Sequence, residues 1–241
     1  MQAYRERHSR TARIYGWAAI ERLQSARVAV FGVGGVGGYI VEALARMGVG
    51  AIDLCDSDTV SLSNVNRQIL ATNDTVGEKK VDAAAARIRA ISPETTVRTY
   101  PVFFSEETAS LFDFSAYDYV ADAIDSVKSK VELIARAKAA GVPVIAAMGA
   151  GNKKDPSAFR VADIEKTRVC PLARAVRTAL KKRGIRGVKT VYSEELPVSA
   201  ETEETEVASG ERRVPASTPF CPAVMGLLMA NEIVSDLMKT E

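Results

Sequence analysis

Along the first half of the chain, short apolar, β-branched runs alternate with stretches of helical spacing. RVAVFG (27–32) predicts a strand ending on glycine, and the following VGGVGGYIVEALARMGVG predicts a tight turn and then a helix closing near Gly48. AIDLCD (51–56) predicts a second strand that ends on an acid. SDTVSLSNVNRQ after it is too rich in Ser, Asp and Asn to continue that strand. KKVDAAAARIRAISP is an alanine-rich helix that must stop before Pro93. TVRTYPVF, DYVADAID and VPVIAAMGA predict further strands, the last two separated by the helical SVKSKVELIARAKAAG. Strands that alternate with helices imply parallel crossovers, so the expected fold is α/β: a Rossmann-like, doubly wound, mainly parallel sheet with flanking helices.

From about Ala150 the pattern changes, which suggests a nucleotide-type domain over 1–150 and a C-terminal β/α extension over 151–241 that packs on it. GNKKDPSAFRVADIEKT predicts a loop and one strand, PLARAVRTALKKRGI a basic amphipathic helix, and VKTVYSEE another strand. Residues 196–213, which include AETEETE, are acidic and aperiodic and predict a mobile surface loop. The stretch from Pro222 to Met238 is apolar but interrupted by Asn231, Glu232 and Asp236. It predicts a buried helix rather than a membrane span.

Composition narrows the class. The 241 residues are 47% hydrophobic and 26% charged, the balance of a soluble globular protein with a sizeable core. A net charge of +2 excludes a generally basic nucleic-acid binder, so any RNA contact needs a local patch. Cys55, Cys170 and Cys221 form no CxxC pair, which argues against zinc and fits a reducing, cytoplasmic setting. The N-terminus, MQAYRERHSRTARIYG, has no apolar core and so no secretory signal.

The candidate chemistry starts at the glycine turn. Gly32, Gly34 and Gly37 satisfy GxGxxG between strand and helix, with Gly35 in the same loop. The glycines permit the turn, the approach of a phosphate and close helix packing, and the helix N-terminus offers free N–H groups to an anion. Asp56, at the end of the second strand, stands where a carboxylate meets ribose hydroxyls, with Asp58 two residues on. To this point a dinucleotide-dependent dehydrogenase and an ATP-using enzyme are equally served. Asn64, Arg67 and Gln68 follow within a dozen residues of Asp56, and Lys80 opens the next helix. Such cations suit a triphosphate attacked at its α-phosphate, and Asp125, at the carboxyl edge of the sheet, suits a magnesium ion. A dehydrogenase would need a catalytic pair that does not stand out here, His8 being the only histidine.

GVGGVGG, LCDSDTV, NVNRQ, the lysine of TVGEKK and the aspartate of DAIDS together resemble the ubiquitin-activating-enzyme-like adenylyltransferases, which include the ThiF and molybdopterin-synthase adenylyltransferase proteins. The likeness runs over about residues 7–150. It implies that Asp56 binds the ribose of ATP, Arg67 and Lys80 its phosphates and Asp125 magnesium, while Asn64 and Gln68 shape the pocket. Arg10 in RHSRT is similar to the family's N-terminal arginine that enters a neighbouring subunit's site, which implies a homodimer. His8 and Thr11 stand where the family usually has tyrosine and glutamine, so Arg10 fits the pattern less closely than Arg67 does.

The second half, from KKDPSAFRVADIEKT through VYSEELPV to PAVMGLLMANEIVSDL, resembles the branch of this superfamily that dehydrates threonylcarbamoyladenosine in tRNA. The implied chemistry is adenylation of the nucleoside's free carboxylate, then ring closure by a nucleophile of the substrate itself. Lys153, Lys154, Arg174, Arg177, Lys181, Lys182 and Arg183 would then be candidate RNA contacts. Activation of a sulfur-carrier protein's C-terminal glycine is the alternative. A nucleotide-binding module paired with a cysteine desulfurase or sulfur acceptor is a third reading.

Overall fold

The structure is a computed structural model that describes residues 2–198 and 215–239. Seven strands form one sheet in the order β3-β2-β1-β4-β5-β7-β6. The strands are β1 Arg27–Phe31, β2 Ala51–Cys55, β3 Thr96–Tyr100, β4 Tyr119–Asp122, β5 Val144–Ala147, β6 Phe159–Asp163 and β7 Lys189–Ser193. All neighbours pair in parallel except β6, which runs antiparallel to β7. β7 lies directly against β5, so the C-terminal segment extends the sheet of the N-terminal one. β3 is shorter than its apolar run suggests. It ends at Tyr100 because Pro101 has no N–H to give the ladder.

Helices α3 (Gly37–Met47), α4 (Lys80–Ile91), α5 (Val127–Ala139) and α6 (Pro171–Lys182) provide crossovers, and α7 (Phe220–Met238) closes the chain. On one face of the sheet, Ile40, Val41 and Leu44 of α3 pack with Met225, Met229 and Ile233 of α7 over Val28, Val30 and Ile52. α7 is long and apolar enough to cross a membrane, but its apolar side is spent on this core. On the other face, Leu133 and Ile134 of α5 and Val176 and Leu180 of α6 cover Ala29, Phe31 and Val144. Phe31 meets the rings of Phe104 and Phe112, each at 5.0 Å between centroids. Burying such a side chain is worth roughly 2–3 kcal/mol.

Two helices that the apolar pattern did not predict precede β1: α1 (Gln2–Tyr15) and α2 (Trp17–Ser25). α1 is polar almost throughout and buries only Tyr4 and His8. Both side chains lie against Gly48, at the C-terminal end of α3.

The chain leaves β1 toward β2 and β3 on one side and returns through β4 on the other. β1 and β4 therefore flank the topological switch point, and the crevice outside their carboxyl ends is where such sheets bind ligands.

Candidate functional site

A cleft of about 420 Å³ opens at that switch point. It is lined by Gly32, Gly34, Gly35, Asp56, Asp58, Asn64, Arg67, Gln68, Lys80 and Asp125, the pocket residues expected from the sequence except Gly37.

Gly32 turns the chain out of β1 with φ of +85°, and its N–H donates to the Cys55 carbonyl at 2.8 Å. A Cβ at Gly32 would lie 2.6 Å from the Ala123 carbonyl oxygen; one at Gly37 would lie 1.8 Å from that of Gly32. Gly37 is thus a packing glycine, buried beneath the cleft. The backbone N–H groups of Gly34, Gly35 and Val36, which line the cleft, have no acceptor among the described residues and precede α3. They form the anion cradle that a helix N-terminus supplies.

Asp56 braces that cradle. Its Oδ2 accepts from the Val33 N–H at 2.7 Å and its Oδ1 from the Asp58 N–H at 2.8 Å. The segment between β2 and α4 then folds over the loop. Ser61 caps a 3-10 turn, Leu62–Asn64, and the Asn64 Oδ1 accepts from the Ser61 N–H. Arg67 and Gln68 leave this turn with their N–H groups bonded to the Asn64 carbonyl. The Gln68 amide is buried, and its Oε1 has no partner among the described residues. Lys80 opens α4, and its Nζ donates to Asp58 Oδ2 at 2.6 Å. The lysine side chain is only 8% exposed and the aspartate 62%, so a buried cation is held by a solvated acid.

Asp125 lies in the loop after β4, three residues beyond the end of the strand at Asp122, not on the strand itself. Among the described residues its carboxylate has no hydrogen-bond or ion-pair partner, and Ser126 rather than Asp125 caps α5. No cluster of three or more His, Cys, Asp or Glu exists among the described residues. A metal here would be held by one carboxylate with a ligand's phosphate oxygens, a common arrangement for magnesium.

The structure shows site features that sequence reasoning missed. Val102, Phe103 and Ile124 form an apolar wall, with Phe103 55% exposed at the rim. The run PVFF after β3 was the available signal. Beneath the cleft, Asp122 and Lys130 are fully buried and paired at 2.8 Å. Asp122 also accepts from the Ile124 N–H at 3.1 Å, which shapes the turn presenting Asp125. Burial pushes the Asp122 carboxyl upward, and Lys130 opposes that shift. Gly151, Pro215, Ser217 and Pro222 complete the wall on the C-terminal side.

Other expected residues lie elsewhere. Arg10 is exposed on α1 and does not line its own chain's cleft. Lys153 is buried, and its ammonium donates to the Glu195 carbonyl, so it is spent on structure rather than offered to a ligand. Arg177 donates to the Thr167 carbonyl at 2.8 Å, and Arg183 pairs with Glu132 at 2.7 Å. α6 runs back toward the N-terminal end of β7, so Lys181, Lys182 and Arg183 sit at the sheet edge away from the cleft. Arg174 and Lys154 remain exposed near the cleft end. The acidic residues 199–213 fall outside the described residues. All three cysteines are buried, and burial, with Asp56 adjacent, pushes the Cys55 thiol up to about 12.

The sequence model of the ThiF family matches residues 6–241. The tRNA threonylcarbamoyladenosine dehydratase of Bacillus subtilis is 44% identical over 239 residues, 96% of this chain and 94% of that protein. A crystal structure of the E. coli tRNA N6-threonylcarbamoyladenosine dehydratase, TcdA, with AMP superposes with a TM-score of 0.90 at 35% identity, covering 99% of this chain and 96% of that one. The same E. coli protein with ATP gives 0.88 at 36% identity, with the same coverage.

Proposed function

Because the chain belongs to the ThiF family, we propose that it is an ATP-dependent tRNA threonylcarbamoyladenosine dehydratase that works through an acyl-adenylate. The observation that carries this reading is the single cleft in which an anion cradle, Arg67, Lys80 and Asp125 converge. Cations around a diphosphate that is never cleaved would serve little purpose; around an α-phosphate under attack they stabilise the charge that develops.

The residues divide the work. Phe103 and Ile124 offer an apolar face to adenine, and Asp56 stands at the ribose position while bracing the cradle. The N–H groups of Gly34, Gly35 and Val36, with Arg67 and Lys80, take the phosphates. Magnesium, held by Asp125 and phosphate oxygens, would supply positive charge for the departing pyrophosphate. A carboxylate oxygen of the substrate attacks the α-phosphorus as the bond to pyrophosphate breaks. A nucleophile within the nucleoside then attacks the acyl carbon, AMP leaves, and the ring closes with net loss of one water. No enzyme thiol is required, and none is poised.

An arginine that acts in a neighbour's cleft cannot be docked in its own, which is how Arg10 lies. We assign the chain a homodimeric state on this basis and on the family likeness, and a cytoplasmic location on the likeness to bacterial tRNA-modifying enzymes. Phosphate contacts to tRNA nearest the reacting nucleoside fall to Lys154 and Arg174, while Lys181, Lys182 and Arg183 could only meet parts of the RNA farther from the cleft. The test is release of AMP and pyrophosphate from ATP with and without tRNA carrying the modification. RNA-dependent AMP release, with a nucleoside lighter by one water, supports the reading; AMP release indifferent to RNA redirects it to a protein carboxylate.

A further inference from the structure

The C-terminal wall of the cleft is tied to Arg67 through a chain of polar contacts that the proposed chemistry does not by itself require. Asn152 adopts a left-handed backbone, φ of +56°. Its N–H donates to the Ala216 carbonyl at 2.7 Å, and its Oδ1 accepts from the Ala216 N–H at 2.8 Å. One asparagine thus holds Ala216 by both of its backbone groups. Its own carbonyl accepts from the Val198 N–H at 2.9 Å. The Ser217 carbonyl accepts from Asn66 Nδ2 at 3.1 Å, and Asn66 Oδ1 accepts from Arg67 Nη1 at 2.9 Å. The other acceptor of that Nη1 is the Ser63 carbonyl at 2.8 Å.

Asn66 is exposed and does not line the cleft, so its side chain is spent on this link. An amide suits the place because it offers an acceptor to the guanidinium and a donor to the carbonyl at once. We propose that Asn66 is a positioning residue, with Asn152 as its anchor. Together they orient the Arg67 guanidinium according to the docking of residues 215–217 on the cleft. The contact between arginine and nucleotide is thereby coupled to the C-terminal wall of the cleft. This rests on the reading of Arg67 as a phosphate contact.

The test is a double-mutant cycle read as kcat and KM for ATP, with melting temperature as the control for folding. Asn66→Ala is expected to lower kcat/KM about tenfold, near the worth of one hydrogen bond to a charged group, without a change in melting temperature. In an Arg67→Ala background, Asn66→Ala should have no further effect, because its only route is removed. Asn152→Gly keeps the left-handed backbone but removes the acceptor, and should reproduce the loss. Asn152→Asp, which keeps an acceptor for the Ala216 N–H, should restore most of it. A damaging Arg67→Ala with a harmless or fully additive Asn66→Ala would overturn the relay alone. Wild-type turnover in Arg67→Ala would remove the phosphate reading and the relay with it.

Discussion

Gly34 and Gly37 belong to one motif, but the structure gives them separable jobs, and alanine at each distinguishes them. At Gly37 the added Cβ would sit 1.8 Å from the Gly32 carbonyl oxygen, where ordinary contact begins at 3.4 Å. The first turn of α3 would have to withdraw from β1 by more than an ångström, and neither partner is a side chain that can rotate away. Overpacking of this kind costs about 3 kcal/mol or more. For a chain of this size that corresponds to a fall of roughly 6–12 °C in melting temperature. At Gly34 the backbone φ is not positive, and the nearest neighbour to a new Cβ is Gln68 Nε2 at 3.7 Å. The protein should therefore fold unchanged, or gain up to about 1 kcal/mol from a stiffer unfolded chain.

Gly34 nevertheless lines the cleft, and the methyl of Gly34→Ala would sit beside Gln68, another lining residue, where it takes up space that the proposed phosphate needs. Affinity for ATP should fall at least tenfold, about 1.4 kcal/mol. Scanning calorimetry and titration calorimetry with ATP, run on both variants, measure the two effects separately. A Gly34→Ala protein that binds ATP like the parent would refute the phosphate-cradle assignment. A Gly37→Ala protein that melts at the parent's temperature would refute the packing one.

Arg10→Ala and Asp125→Ala should each abolish most turnover in a folded protein. Mixed dimers of the two should recover part of it if Arg10 acts across the interface, and none if it acts within its own subunit. Asp236 is held by Lys189 at 2.6 Å and by Tyr119 and Lys239, which pull its carboxyl from 3.8 down to about 2 against the effect of its partial burial. Its stabilisation is fully present above about pH 4 and disappears as the pH falls toward 2. Asp236→Ala should cost roughly 2 kcal/mol at neutral pH and flatten that part of the acid-unfolding curve. With its thiol pushed up to about 12 and buried, Cys55 should resist iodoacetamide in the native protein; rapid labelling with loss of AMP production would reopen a thiol mechanism.

What was legible in the sequence is what is local. The glycine loop, Asp56 and the alternation that builds the sheet each depend on neighbours within a few residues. α1 was not legible because its stability comes from two side chains, Tyr4 and His8, set against Gly48 some forty positions on. Its own pattern is that of a solvated segment. The charges of α6 could be counted but not placed: which cations remain available depends on Thr167, Glu132 and the direction of the helix across the sheet. Lys130 could not be told from a surface lysine until the fold enclosed it beside Asp122.

That same distinction between counted and placed charges explains why a frame shared with hydride-transfer enzymes suits phosphate chemistry here. The span between β2 and α4 carries Arg67 and Gln68 and leads into Lys80, and an isolated antiparallel bridge between Thr59 and Lys79 closes it back on itself. A buried ammonium with no partner would be costly, so Lys80 needs Asp58 when no phosphate is present. Asp58 is solvated and loses little if the lysine turns to an incoming phosphate. The asymmetry of that pair keeps a cation inside the cleft in a fixed place without binding it there irrevocably. On the proposed reading, Lys80 then needs little reorganisation when a nucleotide arrives, the condition under which a buried charge contributes most to a transition state.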